Sequence, residues 1–252
     1  MSARRPVRCK DKSIGTELQL RHEFLSVCVV LLIAAFAGPR AQAQARVGEA
    51  VIVQNQVLRV THAASSQISV GDGLLRDETV RTGNDSATRL VMADSTNLSL
   101  GANASLTLDR TVFDDEHSYR DIAVRMTSGA FRFVTGHSEK AAYKISTPLA
   151  TIGVRGTILD ILSQRGKTTV VLQEGGSSVC TITGAQCIQL TQPGDTAIIT
   201  STGNGRTTIK KTNSPPWTFA AACASSAGLC GVTDLAKNDS APADDSAALC
   251  GR

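Results

Sequence analysis

The chain has 252 residues, 26 Lys and Arg against 22 Asp and Glu, a formal charge of +4 and only 4% aromatic residues. The excess charge sits at one end: residues 1–45 hold seven of the basic and three of the acidic residues, so 46–252 carries nineteen of each. A neutral body exerts no long-range pull on phosphate backbones or anionic lipid, which argues against nucleic-acid binding.

The chain opens with a basic segment (Arg4, Arg5, Arg8, Lys10, Lys12, Arg21) and then an uncharged apolar run, Phe24 to Phe36. Its thirteen residues fall short of the roughly 20 that a permanent spanning helix needs. Gly38-Pro39 breaks any helix, and Ala41-Gln42-Ala43-Gln44-Ala45 offers two overlapping A-x-A sites. This order predicts a signal peptide over residues 1–45, cleaved after Ala43 or Ala45, with a periplasmic or secreted product. The alternative is an uncleaved anchor. A lipoprotein is disfavoured because Cys28 lies inside the apolar run behind Val27.

From residue 46 the pattern is strand after strand. Leu98 and Leu100 alternate with polar residues, as do Leu106 and Leu108, Val124 and Met126, and Phe131 and Phe133. Later apolar runs are 152–154, 158–162, 168–172, 188–190 and 197–199. Period-two spacing, β-branched enrichment and turn signals about every ten residues predict an all-β, antiparallel β-sandwich or β-roll over 46–202. With so few aromatics, its core must come from Val, Ile, Leu and Ala. No 3.6-residue period stands out, which argues against βαβ architecture.

Beyond the signal the cysteines are Cys180, Cys187, Cys223, Cys230 and Cys250. Cys180 and Cys187 flank Thr181 to Gln186, with a turn-compatible Thr-Gly at the centre, and a hairpin there sets the two opposite each other within disulfide reach. Cys223 and Cys230 repeat the spacing without alternation and form a second candidate pair; Cys250 is left over. These spacings, with no histidine nearby, do not suit a metal site. Residues 203–252 read as a linker through Pro215-Pro216-Trp217 and a poorly ordered, small and polar Cys-containing tail.

Chemistry is hard to place on this chain. It has no GxSxG elbow, HExxH or P-loop, and His62, His117 and His137 form no spaced set with carboxylates. Asp114-Asp115-Glu116-His117 is the densest group of ligand-type residues, in a segment (Phe113 to Tyr119) that reads as a loop. Four adjacent residues on a strand cannot face one ion, so a solvated loop is the preferred reading over a calcium site. No cofactor, metal or catalytic residue is assigned, and the expectation is a non-enzyme.

The turns carry an ordered signature: Val70-Gly71-Asp72, Val80-Arg81-Thr82-Gly83, Ser86-Ala87, Asp94-Ser95, Gly129-Ala130-Phe131, Thr147-Pro148-Leu149-Ala150-Thr151, Val154-Arg155-Gly156-Thr157 and Glu174-Gly175. Over about residues 47–200 this resembles the FecR domain family, the extracytoplasmic sensory domain of bacterial anti-sigma regulators, also found in stand-alone exported proteins. Ser95 departs from the family, which usually has Gly there, so the turn is expected to be longer or of another type. Most of these residues read as turn chemistry. The alternative to a purely structural set is that Arg155, between Val154 and Gly156, presents its guanidinium to a partner's carboxylate or backbone.

Classical regulators of this kind place a sigma-binding segment and a membrane helix ahead of the domain and receive a signal from a TonB-dependent outer-membrane transducer. Only 23 residues precede the apolar run here. The expected function is therefore a non-catalytic extracytoplasmic protein-binding or sensory module, its partner another envelope protein met through an edge strand or loop rim. The alternative is an envelope-associated protein that recognises cell-wall polysaccharide, although Trp217, Tyr119 and Tyr143 are scattered.

Overall fold

The computed structural model describes residues 46–222 except 62–63, 116–117, 139–142 and 203. The signal segment with Ala43 and Ala45, the tail with Cys223, Cys230 and Cys250, and His62, Glu116 and His117 lie outside the described residues. No helix among the described residues is long and apolar enough to cross a membrane.

The alternating stretches become fifteen strands. They are β1 (Arg46–Gln54), β2 (Val57–Val60), β3 (Ser65–Gln67), β4 (Gly73–Leu75), β5 (Thr79–Thr82), β6 (Ala87–Met92), β7 (Asn97–Leu100), β8 (Ser105–Asp115) and β9 (Ser118–Val134). Then come β10 (Tyr143–Ser146), β11 (Ala150–Gln164), β12 (Lys167–Thr181), β13 (Cys187–Leu190), β14 (Thr196–Ser201) and β15 (Thr207–Thr212), followed by a one-turn helix α1 (Phe219–Ala222). The structure is all-β up to that helix, as the alternation predicts.

All strands belong to one open, hydrogen-bonded network. Three strands are long enough to serve two layers. The first half of β9 pairs with β8 and β10, and its second half with β7 and β11. In β11 the first half pairs with β10 and the second with β9, while β12 runs alongside throughout. One layer therefore runs β4-β1-β6-β7-β9-β11-β12-β14-β15, and the other β3-β2-β5-β8-β9-β10-β11-β12-β13. Their inward residues merge into a single core: Leu90, Leu98, Phe131, Phe133, Leu159 and Ile161 from the first, Leu106, Val124, Met126, Ile145, Ile152 and Val179 from the second.

Two features depart from the sequence reading. The β9–β10 pairing is parallel, so the sheet is mixed rather than purely antiparallel. The segment Phe113 to Tyr119 is not a loop: residues up to Asp115 and from Ser118 continue the β8–β9 ladder, paired through Phe113↔Tyr119 and Asp115↔Ser118. Charged residues there suppressed the alternation that signals a strand.

Turn chemistry follows expectation at Asp72 and Asp94, whereas Ser95 takes the glycine-favoured conformation itself. Asp72 Oδ2 accepts from Ser69 N–H at 2.8 Å, and Asp94 Oδ1 from Thr96 N–H at 2.9 Å. The Ser95 turn keeps the conformation that glycine favours, with Ser95 itself at φ 66° and its N–H donated to Met92 O. A left-handed non-glycine residue costs on the order of 1 kcal/mol. Ser95→Gly should therefore raise stability by at most about 0.5 kcal/mol once the entropy of the more flexible unfolded chain is subtracted, as read by urea melts.

Candidate interaction surface

Arg155 lies where β11 changes layers. The β11–β12 ladder is regular to Arg155↔Gly176, then slips and resumes at Ile158↔Glu174 and Leu159↔Leu172. Gly156 and Gly175 take φ 60° and 81° at the slip. A Cβ on Gly175 would sit 1.9 Å from the Gly156 carbonyl oxygen, so only glycine allows the two backbones to meet.

Buried Thr157 ties this bulge down. Its Oγ1 accepts from Arg155 N–H and donates to Gly176 O, both at 2.8 Å. Its N–H donates to Thr135 Oγ1 at 2.8 Å, and its carbonyl accepts from Thr135 N–H. The result is an exposed Arg155 on a backbone fixed from both sides. Around it Gly153, Gly156 and Glu174 are also exposed, leaving a low surface beside the guanidinium. Replacing Gly175 with alanine adds both a left-handed strain and a backbone clash, and should cost about 3 kcal/mol or more in a denaturant melt.

The disulfide pair forms as the hairpin predicts: Cys180 and Cys187 are bonded, directly opposed, with Cα atoms 4.0 Å apart. The Thr181–Gln186 backbone bond closes a loop of residues 182–185 whose Ile182 is exposed. Closing so short a loop contributes about 2–3 kcal/mol on the chain-entropy account.

Three buried polar groupings were not visible in the sequence. Tyr143 donates to Asp94 Oδ2 at 2.7 Å and accepts from Thr96 Oγ1, and burial pushes its hydroxyl above the ordinary tyrosine range. Gly136 fits tightly beside this knot, where a Cβ would lie 2.1 Å from Asp94 O. Arg132 and Asp160 form a bidentate pair at 2.6 and 2.8 Å on the outward side of the first layer, with Gln173 donating to the same carboxylate. Glu78, with no exposed surface, lies 2.6 Å from Arg59 Nε.

The carboxylates at two ends of the sheet respond oppositely to their surroundings. Burial raises Glu78 above the usual carboxylate range, only partly offset by a Leu75 backbone bond and by Arg59. Asp195 is held below its ordinary value by Lys211, whose Nζ is 2.7 Å away, and by the Thr191 and Gln192 amides. A raised carboxyl gives stability that is fully present below its unfolded value of 4.5 and is lost as pH rises through the folded value. A lowered one gives stability present above 3.8 and lost as pH falls through the folded value. Thermal melts should therefore show the native chain gaining on Glu78→Gln between neutral pH and about 4.5, and losing its advantage over Asp195→Asn below about 3.8.

Among the described residues no group of His, Cys, Asp and Glu is arranged to hold a metal ion. His137 is exposed and contributes its backbone N–H to Asp94 O. What these residues build is a set of rigid surfaces.

Residues 78–176 match the family model described as FecR protein. Over those residues the chain is similar to the FecR family. The match starts at buried Glu78 and ends at Gly176, so it contains Arg155, the Thr157 bulge and the Arg132–Asp160 pair. Two crystal structures of a candidate anti-sigma factor from Parabacteroides distasonis ATCC 8503 are similar at 18% identity, with TM-scores of 0.43 and 0.44. Each similarity covers 54% of this chain, which spans 59% of the length of those structures. No curated protein matches the chain.

Proposed function

We propose that the chain is a non-catalytic, extracytoplasmic protein-binding or sensory module of FecR type that works in envelope signalling. The FecR match over residues 78–176 carries this reading. Support from the geometry comes from Arg155, an exposed cation on a backbone held by Thr157 from both sides. The fixed backbone sets where the Arg155 side chain can reach, and its planar guanidinium can pair bidentately with a partner's carboxylate. The export signal over 1–45 and periplasmic or secreted delivery belong to the same proposal, with residues 203–252 as linker and tail. N-terminal sequencing of the mature protein should begin at Gln44 or Arg46.

The polysaccharide alternative needs exposed aromatic platforms. Tyr143 is buried and Trp217 half-buried, so neither offers an open ring face for stacking on a sugar.

The protein-binding reading is tested by crosslinking in periplasmic extract with native and Arg155→Ala baits. The expected outcome is one protein recovered reproducibly with the native bait and reduced at least tenfold, about 1.4 kcal/mol, with the variant, at an unchanged Tm. Recovery of nothing specific, together with retention on peptidoglycan, would favour the polysaccharide alternative.

A further inference from the structure

The outward face of the β4–β15 layer carries a row of buried polar and small residues beneath α1. Neighbouring positions across β6, β7, β9 and β11 are Arg89, Ser99, Arg132 and Asp160, all buried. Beside them Ala87 and Ala130 are too small to fill the space above the sheet, and Ile52 and Leu162 form its sides. The space is filled by Phe219 from α1. Its ring lies 5.2 Å from Arg132 Cζ and only 1% of its surface is exposed.

Three observations separate the slot from its occupant. Of the walls, Arg132, Ala130, Asp160 and Leu162 fall within residues 78–176, whereas Ile52 and the occupant Phe219 lie outside them. Arg132 is fixed by two hydrogen bonds to Asp160, with Gln173 holding the far side of that carboxylate, so the guanidinium face is set without help from Phe219. The connecting strap is joined to β15 through exposed Pro215-Pro216, and its amides bond locally, Ser214 to Thr212 Oγ1 and Ala221 to Thr218 Oγ1.

The occupant also fits imperfectly. The Trp217 indole N–H is buried without an acceptor among the described residues, a penalty on the closed arrangement.

We propose that the slot over the Arg132–Asp160 pair is a docking site for a partner segment bearing an aromatic side chain, with Phe219 as its displaceable occupant in cis. A preset guanidinium above small residues accepts any flat ring through cation–π contact and apolar burial. A tethered occupant competes at an effective concentration in the millimolar range, so a partner needs either high affinity or a strap already pulled away. The site is remote from the Arg155 proposal in its chemistry and stands if that proposal fails.

The test uses the full chain and a fluorescein-labelled peptide of residues 213–222. The peptide should bind Phe219→Ala at least tenfold more tightly than the native chain, and binding should vanish when alanine replaces its phenylalanine. Equal binding to both proteins, or binding that does not need the phenylalanine, overturns the proposal. Should Phe219→Ala lose its β-sheet circular dichroism, the native chain decides the matter through Trp217, the chain's single tryptophan. A tryptophan-free version of the peptide at millimolar concentration should then raise acrylamide quenching of Trp217 saturably, and no change overturns displacement. A dimer of the native chain formed by exchanging straps, seen by sedimentation, overturns the partner assignment in favour of a second copy.

Discussion

Where Gly175 passes the carbonyl of Gly156, two backbones approach more closely than any side chain would allow, and the layered architecture depends on that approach. It lets β11 and β12 turn together from one layer into the other without losing their pairing for more than a few residues. Gly129 does the same for β9: at φ 100° it lies against Ala104, where a Cβ would come within 2.4 Å of Ala104 Cα. Strands that continue through both layers leave few ends between them. The inward faces of the two layers correspondingly share one cluster, and the small Phe219 cluster lies apart from it.

The buried charges make a different kind of contribution. A buried ion pair repays its desolvation only when geometry and extra hydrogen bonds are good, so Arg132–Asp160 is a weak source of net stability despite its two short bonds. What it secures is orientation: Asp160 and Gln173 leave the guanidinium one allowed plane. Glu78 shows the opposite balance. It faces Arg59, yet desolvation dominates and its carboxyl is pushed towards the neutral form.

The alternating residues made the strands legible, because Leu98, Leu106, Val124, Phe131 and Ile152 are the residues the core needs. The cysteine hairpin was legible too, since its geometry is local. The layer changes were not. A bulge interrupts alternation, so 152–154 and 158–162 read as separate runs although both belong to β11. The Arg132–Asp160 slot was hidden for a related reason. Arg132 alternates with Phe131 and Phe133 and so reads as solvent-facing, and what covers it comes from a segment of small residues far along the chain. The available signal was compositional: in a chain with 4% aromatics, Trp217 and Phe219 stand two residues apart amid Pro, Thr and Ala.

Arg155 and Asp160 are on one strand, on either side of the bulge, and this arrangement bears on how two binding surfaces would communicate. A flexible joint at residues 156–157 would let a load on Arg155 be absorbed locally. The joint present here is pinned by Thr157 to β12 through Gly176 and to the end of β9 through Thr135. β9 also supplies Arg132, so a displacement of Arg155 large enough to matter must break the Thr157 bonds or move the strand that carries the slot. Packed layers of this kind switch between discrete arrangements rather than deform continuously. If the strap leaves the slot as proposed, the Thr157 bonds would keep the Arg155 bulge as the frame against which it moves.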